Sequence, residues 1–259
     1  MLSGLSILVT RPDPAGTELC ELIEQNSGRA LLFPTIAFAA PPDQTQYQQA
    51  LMSLGEQDWL IFVSPQAVYH SVPAIRRQWP EFPASVKFAA IGAGTRLALH
   101  QAGYQAVICP EIDWHSEGLL ALPDFAQVKG QKIAIIRGAY GRQLLEKAFR
   151  EQGASITSFE VYERVLPEAD TQLPVALINE NKISAVICSS FEAVKNLTLL
   201  LADKTGEKLF SVPLIVVSER IKSLAEDLGF QTIWIAKSAN HHAILDLLAR
   251  KRNELCQIR

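Results

Sequence analysis

A tyrosine between charged residues, and a recurring set of serines, glycines and arginines after apolar runs, are the residues of this sequence that could do chemistry. Tyr162 sits in an extended stretch with Glu160 and Arg164, and strict alternation puts it on the face opposite Phe159 and Val161. A phenol so placed is either a packing aromatic, as is common in strands, or a hydrogen-bond donor aimed into an interdomain cleft. Spacing alone favours packing.

The second set is Thr10-Arg11, Ser64, Gly92-Ala93-Gly94-Thr95, Ser116, Arg137-Gly138, Ser189-Ser190 and Ser218, each in a loop that follows an apolar, strand-like run. In open α/β sheets ligands bind beyond the carboxyl ends of the strands. Helix N-termini there offer N–H groups and the positive end of the helix dipole. These residues could therefore build an anion site largely from backbone amides, or they could be ordinary helix caps. For any one serine, capping is the simpler reading; for the whole ring, a ligand site is.

Other candidates carry less. The stretch from Ile91, IGAGTRLAL, lacks the third glycine of a dinucleotide fingerprint, and Arg137-Gly138-Ala139-Tyr140-Gly141 lacks the GK[ST] of a nucleotide loop. His241-His242 has no metal-ligand spacing, and no Cys/His or Ser/His/Asp set can be assembled. No metal and no cofactor are expected. Trp59 and Trp234 read as core.

These residues need elements to hold them. Strands are expected over 6–10, 59–63, 86–91, 105–109, 132–136, 185–188, 214–217 and 232–235, with longer extended segments over 30–40 and 155–166. Helices are expected over 17–25, 46–54, 67–79 (broken at Pro73), 95–101, 117–122 with Ser116 as N-cap, 193–201, 220–228 and from about 243. Between 144 and 150, Leu144, Leu145, Ala148 and Phe149 share one helical face, Glu146 and Arg150 fit the outer face, and Gly153 suits the position after the last turn. Alternating strands and helices predict parallel sheets covered on both faces.

The pattern occurs twice. Ile7-Leu8-Val9-Thr10-Arg11 matches Ile133-Ala134-Ile135-Ile136-Arg137 at a spacing of 126 residues, and that spacing returns at Ser64/Ser190, Gly103/Gly229 and Leu119/Leu245. Two diverged copies of one unit, roughly 5–125 and 131–251, follow. Each copy could close on itself, or the copies could exchange their first two strands. The length of 30–40 and 155–166, beyond the mean strand of about 5–6 residues, favours exchange.

Composition narrows the function. A net charge of −3 and a pI near 6.0 give no sign of a nucleic-acid or membrane surface. No apolar run approaches a membrane span, and the N-terminus reads as a first strand rather than a signal peptide. Four cysteines without CxxC spacing suit reduced thiols in a cytoplasmic protein.

In order and spacing, several motifs together resemble the uroporphyrinogen-III synthase family: VTRP from Val9, IFVSPQAV from Ile61, AIGAGTRLALHQAG from Ala90, SEGLL from Ser116, IIRGAYGRQLLEKAFREQGA from Ile135, VYER from Val161, and Ser189-Ser190. Where the family usually carries Thr-Ser and Asn, this chain has Val63-Ser64-Pro65-Gln66, which retains a backbone contact at Ser64. The resemblance implies two doubly wound parallel-sheet domains with exchanged strands, joined by a two-stranded ladder. The domains map to 1–38 with 167–259, and to 39–166, with the site in the cleft between them. It also implies a cofactor-free lyase that cyclises a linear tetrapyrrole, hydroxymethylbilane, with loss of water and inversion of the last ring. Transient contact with neighbouring tetrapyrrole enzymes is the further partner expected. Tyr162 matches the family tyrosine proposed as the acid. A phenol of ordinary pKa, about 10, carries its proton at neutral pH. Arg11, Arg137 and the local N–H groups would then bind the carboxylates. The alternative from another class is a two-domain small-anion binding protein without catalysis.

Overall fold

The computed structural model describes residues 1–141 and 143–257; Arg142, within the motif from Ile135, lies outside the described residues. By internal contacts the chain divides into two units, Met1–Ala37 with Val165–Arg259, and Phe38–Arg164.

The first unit holds β1 (Ser6–Val9), α1 (Ala15–Gln25) and β2 (Arg29–Leu32), and β3 (Ala37–Ala39) starts at its edge. The second unit continues with α2 (Gln44–Ser53), β4 (Trp59–Phe62), α3 (Pro65–Gln78), β5 (Lys87–Ala90), α4 (Ala93–Gln101), β6 (Val107–Ile108) and α5 (Ser116–Leu120). It ends with β7 (Lys132–Gly138), α6 (Leu144–Glu151) and β8 (Ser155–Val165). The chain then returns to the first unit through α7 (Gln172–Asn179), β9 (Ala185–Ile187), α8 (Phe191–Thr205), α9 (Glu207–Ser211), β10 (Leu214–Val216), α10 (Glu219–Asp227), β11 (Ile233–Ile235) and α11 (His241–Gln257).

The first sheet has the order β11-β10-β9-β1-β2 and the second β3-β8-β7-β4-β5-β6. Ile7 pairs in parallel with Ala185 and with Ala30, while Trp59 pairs in parallel with Ile133 and Lys87. The strands of the two copies therefore correspond one to one, β1/β7, β2/β8, β9/β4, β10/β5 and β11/β6. The first sheet takes two strands from one copy and three from the other; the second takes two and four, with β3 an added edge strand that has no counterpart in the first sheet. This is the exchanged closure.

Burial explains why these runs are strands. Trp59–Phe62, Ala185–Ile187 and Leu214–Val216 are buried throughout, as continuous apolar runs in a sheet covered on both faces must be. Leu19 and Ile23 of α1, and Leu145 and Phe149 of α6, press equivalent faces onto the two sheets. Gly153, with φ +86°, turns the chain out of α6 in the left-handed region that favours glycine.

Three local expectations change. Helix α3 runs unbroken through Pro73, because Val68, Val72 and Ile75 bury its face and outweigh the lost backbone bond. Ser116 is the first helical residue of α5, with His115 in the cap position. Glu146 is buried rather than outward-facing, while Leu144 is exposed.

Candidate active site

Parallel pairing brings the carboxyl ends of β1, β2, β9, β10 and β11 to one edge of the first sheet, and those of β4 to β8 to one edge of the second. In the second unit Tyr162 is 3% exposed. Its face was mispredicted. The register passes from Arg137↔Glu160 to Gly138↔Tyr162, a bulge that leaves Val161 without a counterpart. Alternation slips by one residue, and Tyr162 joins Phe159 and Val161 in one core cluster.

The ring is fitted tightly. Its centroid lies 5.1 Å from that of Phe38, edge to face, and 5.1 Å from that of His70. Gly138 lies against its edge: a Cβ there would come within 2.5 Å of the ring and 3.0 Å of its hydroxyl. The Ala139 N–H donates to the Tyr162 carbonyl at 2.7 Å. The phenol oxygen is 3.3 Å from Ser64 Oγ. Ser64 caps α3 by accepting from the Ala67 N–H at 3.0 Å, so its hydroxyl proton and second lone pair can serve the phenol. Burial lowers the pKa of His70, which favours a neutral imidazole beside the ring.

Arg137 departs from its expected place. It is 4% exposed, its Nη1 is 2.6 Å from Glu146 Oε1, and its Nε donates to the Gly138 carbonyl. Ser158 Oγ also donates to Glu146 Oε1 at 3.2 Å. The charge is compensated within the fold, and what the pair presents to the site is the position of Gly138. Gly92 caps α4 in an extended conformation, close enough to Trp114 that a Cβ would meet it at 2.9 Å. Ser116, at the head of the five-residue α5, is buried.

In the first unit Thr10 turns inward. It is fully buried, its Oγ1 donates to the Ile187 carbonyl at 2.7 Å, and its own N–H and carbonyl bond to Ile187 and Thr35. Its polar groups bond within the sheet. Arg11 is 8% exposed; one Nη donates to the Ala239 carbonyl, and Nε has no hydrogen-bond partner among the described residues. Burial lowers its pKa. Ser190 caps α8 through the Ala193 N–H at 3.1 Å, repeating Ser64 and Ala67 at their equivalent positions. Ser218 caps α10 through Ile221, at the position equivalent to Gly92. Ser189 is half-buried beside Ser190. The capping reading therefore holds for Ser64, Ser190 and Ser218, though not for Ser116.

Sequence reasoning passed over His70, Phe38 and Glu146. Nothing in one sequence marks the first two. Glu146 had a signal: an arginine ending an apolar strand needs a buried counter-charge. Among the described residues no group of three or more His, Cys, Asp or Glu is arranged to hold a metal ion, and no helix is long and apolar enough to cross a membrane.

A family model described as uroporphyrinogen-III synthase HemD matches residues 17–246. This chain belongs to the uroporphyrinogen-III synthase family. It is 34% identical over 248 residues to the uroporphyrinogen-III synthase of Escherichia coli, covering 94% of this chain and all of that one. It is 31% identical over 245 residues to the enzyme of that name from Salmonella typhimurium, again covering 94% and 100%. Among solved structures, uroporphyrinogen III synthase from Thermus thermophilus superposes with a TM-score of 0.59 at 18% identity, over 96% of this chain and 99% of that one. The Helicobacter pylori protein superposes with a TM-score of 0.58 at 16% identity, over 95% and 99%. These two likenesses establish the shared fold.

Proposed function

We propose that this chain closes hydroxymethylbilane to uroporphyrinogen III, with loss of water and inversion of the last pyrrole ring, and that Tyr162 assists the departing hydroxyl. Family membership along nearly the whole chain carries the reaction. The buried phenol on Ser64 supports the role of Tyr162.

The chemistry asks little of the protein electronically. When the hydroxymethyl carbon loses its oxygen, the adjoining pyrrole stabilises the resulting cation. The oxygen leaves as water when it takes a proton, which the attacked pyrrole carbon later gives back as the ring closes; a strong hydrogen bond to that oxygen eases its departure. In this reading Tyr162, itself 3% exposed, supplies the O–H donor. As that O–H turns to the substrate, Ser64 Oγ–H can donate to the phenol oxygen and offset the charge that develops there. Holding the folded bilane in the geometry that leads to inversion is the larger task.

The substrate is a polycarboxylate and the chain carries −3 net charge, so attraction over distance does not gather it. Local donors must. In this reading they are the N-termini of α3, α4, α8 and α10, with Ser64, Gly92, Ser190 and Ser218 as their caps, supported by Ser116, Ser189 and Arg11. The reading sets the reaction in the cytoplasm, with transient contact to neighbouring enzymes that handle the same tetrapyrroles.

Turnover of freshly made hydroxymethylbilane by the full chain tests it. Closure should be fast with the wild type and about 10- to 1000-fold slower with Tyr162→Phe, near or below the usual range for general acids. A wild type that binds the bilane without closing it would be a binding module instead.

A further inference from the structure

The duplication allows a comparison inside one chain. Arg11 and Arg137 hold equivalent positions after the equivalent strands β1 and β7, and both guanidinium groups are buried. In the second unit the charge is met by Glu146 at 2.6 Å. The equivalent of Glu146 on α1 is Cys20, a register fixed by the buried pairs Leu19/Leu145 and Ile23/Phe149. The first copy thus kept the arginine and lacks the carboxylate.

One Nη of Arg11 donates to the Ala239 carbonyl, while Nε is buried without a partner among the described residues. That carbonyl lies just before Asn240, whose Oδ1 caps α11 by accepting from the Ala243 N–H at 2.7 Å. The guanidinium is therefore next to the N-terminal end of a 17-residue helix. His241, in the same turn, has its pKa lowered by burial and by the nearby Arg11 charge, against a smaller opposing effect of Glu18 4.0 Å away. A buried guanidinium with an unused donor and a helix N-terminus beside it is a site for a planar anion that can accept two parallel N–H bonds.

We propose that Arg11 is a carboxylate subsite of the first unit, and that its duplicate in the second unit has been closed from within by Glu146. The two halves then read the substrate differently. One contributes a charged, bidentate clamp for a single side-chain carboxylate; the other contributes backbone and Tyr162. That the carboxylate belongs to the tetrapyrrole rests on the proposed function; that the subsite takes a carboxylate does not. An incoming carboxylate displaces the neutral Ala239 carbonyl and gains a charge-assisted pair.

Two measurements on the full chain decide the matter. In steady-state turnover of hydroxymethylbilane, Arg11→Gln should raise KM by about ten- to a hundredfold, the loss of one hydrogen-bonded charge contact, with kcat little changed. Cys20→Glu, which installs the carboxylate of the second copy, should raise KM in the same sense without removing the arginine. Glu146→Gln should instead appear as a lowered Tm. Independently, propionate titrated into protein labelled with ¹⁵N-arginine should shift the Arg11 Nε–H resonance to saturation. The shift should vanish in Cys20→Glu. An unchanged KM in a folded Arg11→Gln variant, or an Arg11 signal indifferent to propionate, would overturn the proposal. If the wild type fails to turn over the bilane, the proposed reaction falls, and the propionate titration still decides the subsite.

Discussion

Tyr162 and Gly138 are fitted to each other atom by atom. The ring lies where any β-carbon at 138 would be, 2.5 to 3.0 Å from its edge and hydroxyl, so the glycine is required by the tyrosine rather than by its own backbone angles. Gly138→Ala should push the ring off Ser64 and cost about 1–3 kcal/mol, the usual range for overpacking. Its turnover should fall with its stability, and thermal unfolding together with bilane turnover would show both effects. A Gly138→Ala variant with wild-type Tm and rate would mean that the ring moves freely. The side of β8 on which Tyr162 falls was not legible in the sequence. Period-two reading opposed it to Phe159 and Val161, and the bulge at Val161 undid that alternation. An extra residue in one strand leaves no signal in composition, since Val161 suits either face.

At the scale of elements, the buried pair Arg137–Glu146 ties the end of β7 to the face of α6, and Ser158 on β8 donates to the same carboxylate. Removing one partner leaves the other charged and unmatched in the interior. Glu146→Gln or Arg137→Met should therefore cost about 3–5 kcal/mol, while the double change Arg137→Met with Glu146→Leu should recover most of it. Denaturant unfolding of the three variants measures the coupling; additive losses would contradict a direct pair. The pair escaped the sequence because Glu146 and Arg150, four apart, look like an exposed helix couple. They do approach each other, at 3.8 Å, but from a buried glutamate. The serine caps were legible, since Ser64 and Ser190 each stand directly before a helical run and each cap an alanine three residues on. Pro73 misled in the other direction: a local rule predicted a break that a buried helical face prevents.

For the whole molecule, the repeated spacing of 126 residues carried the topology. It named the equivalent strands before any pairing was known, and both sheets use them in the same order. What it could not convey is which equivalent residues meet in the fold: that Arg137 is paired with a buried Glu146, while Arg11, with Cys20 at the matching helix position, donates to the Ala239 carbonyl. Stability should also depend on pH through two histidines. Burial lowers the pKa of His70 and, with Arg11, that of His241. A base with a depressed folded pKa takes up its proton more readily when unfolded. Full stability is thus expected above the ordinary histidine pKa, about 6.5, with losses as pH falls below it. Tm followed from pH 8 down to pH 5 should decline on the acid side, and His70→Phe with His241→Gln should flatten that decline. The measurement that bears most directly on function is the identity of the product. Hydroxymethylbilane left alone can close without inversion, to the type I isomer. With catalytic amounts of this chain the product should be type III. Tyr162→Phe, which keeps the ring and its packing, should give the same type III isomer more slowly. Type I product at the rate seen without protein would contradict the assignment.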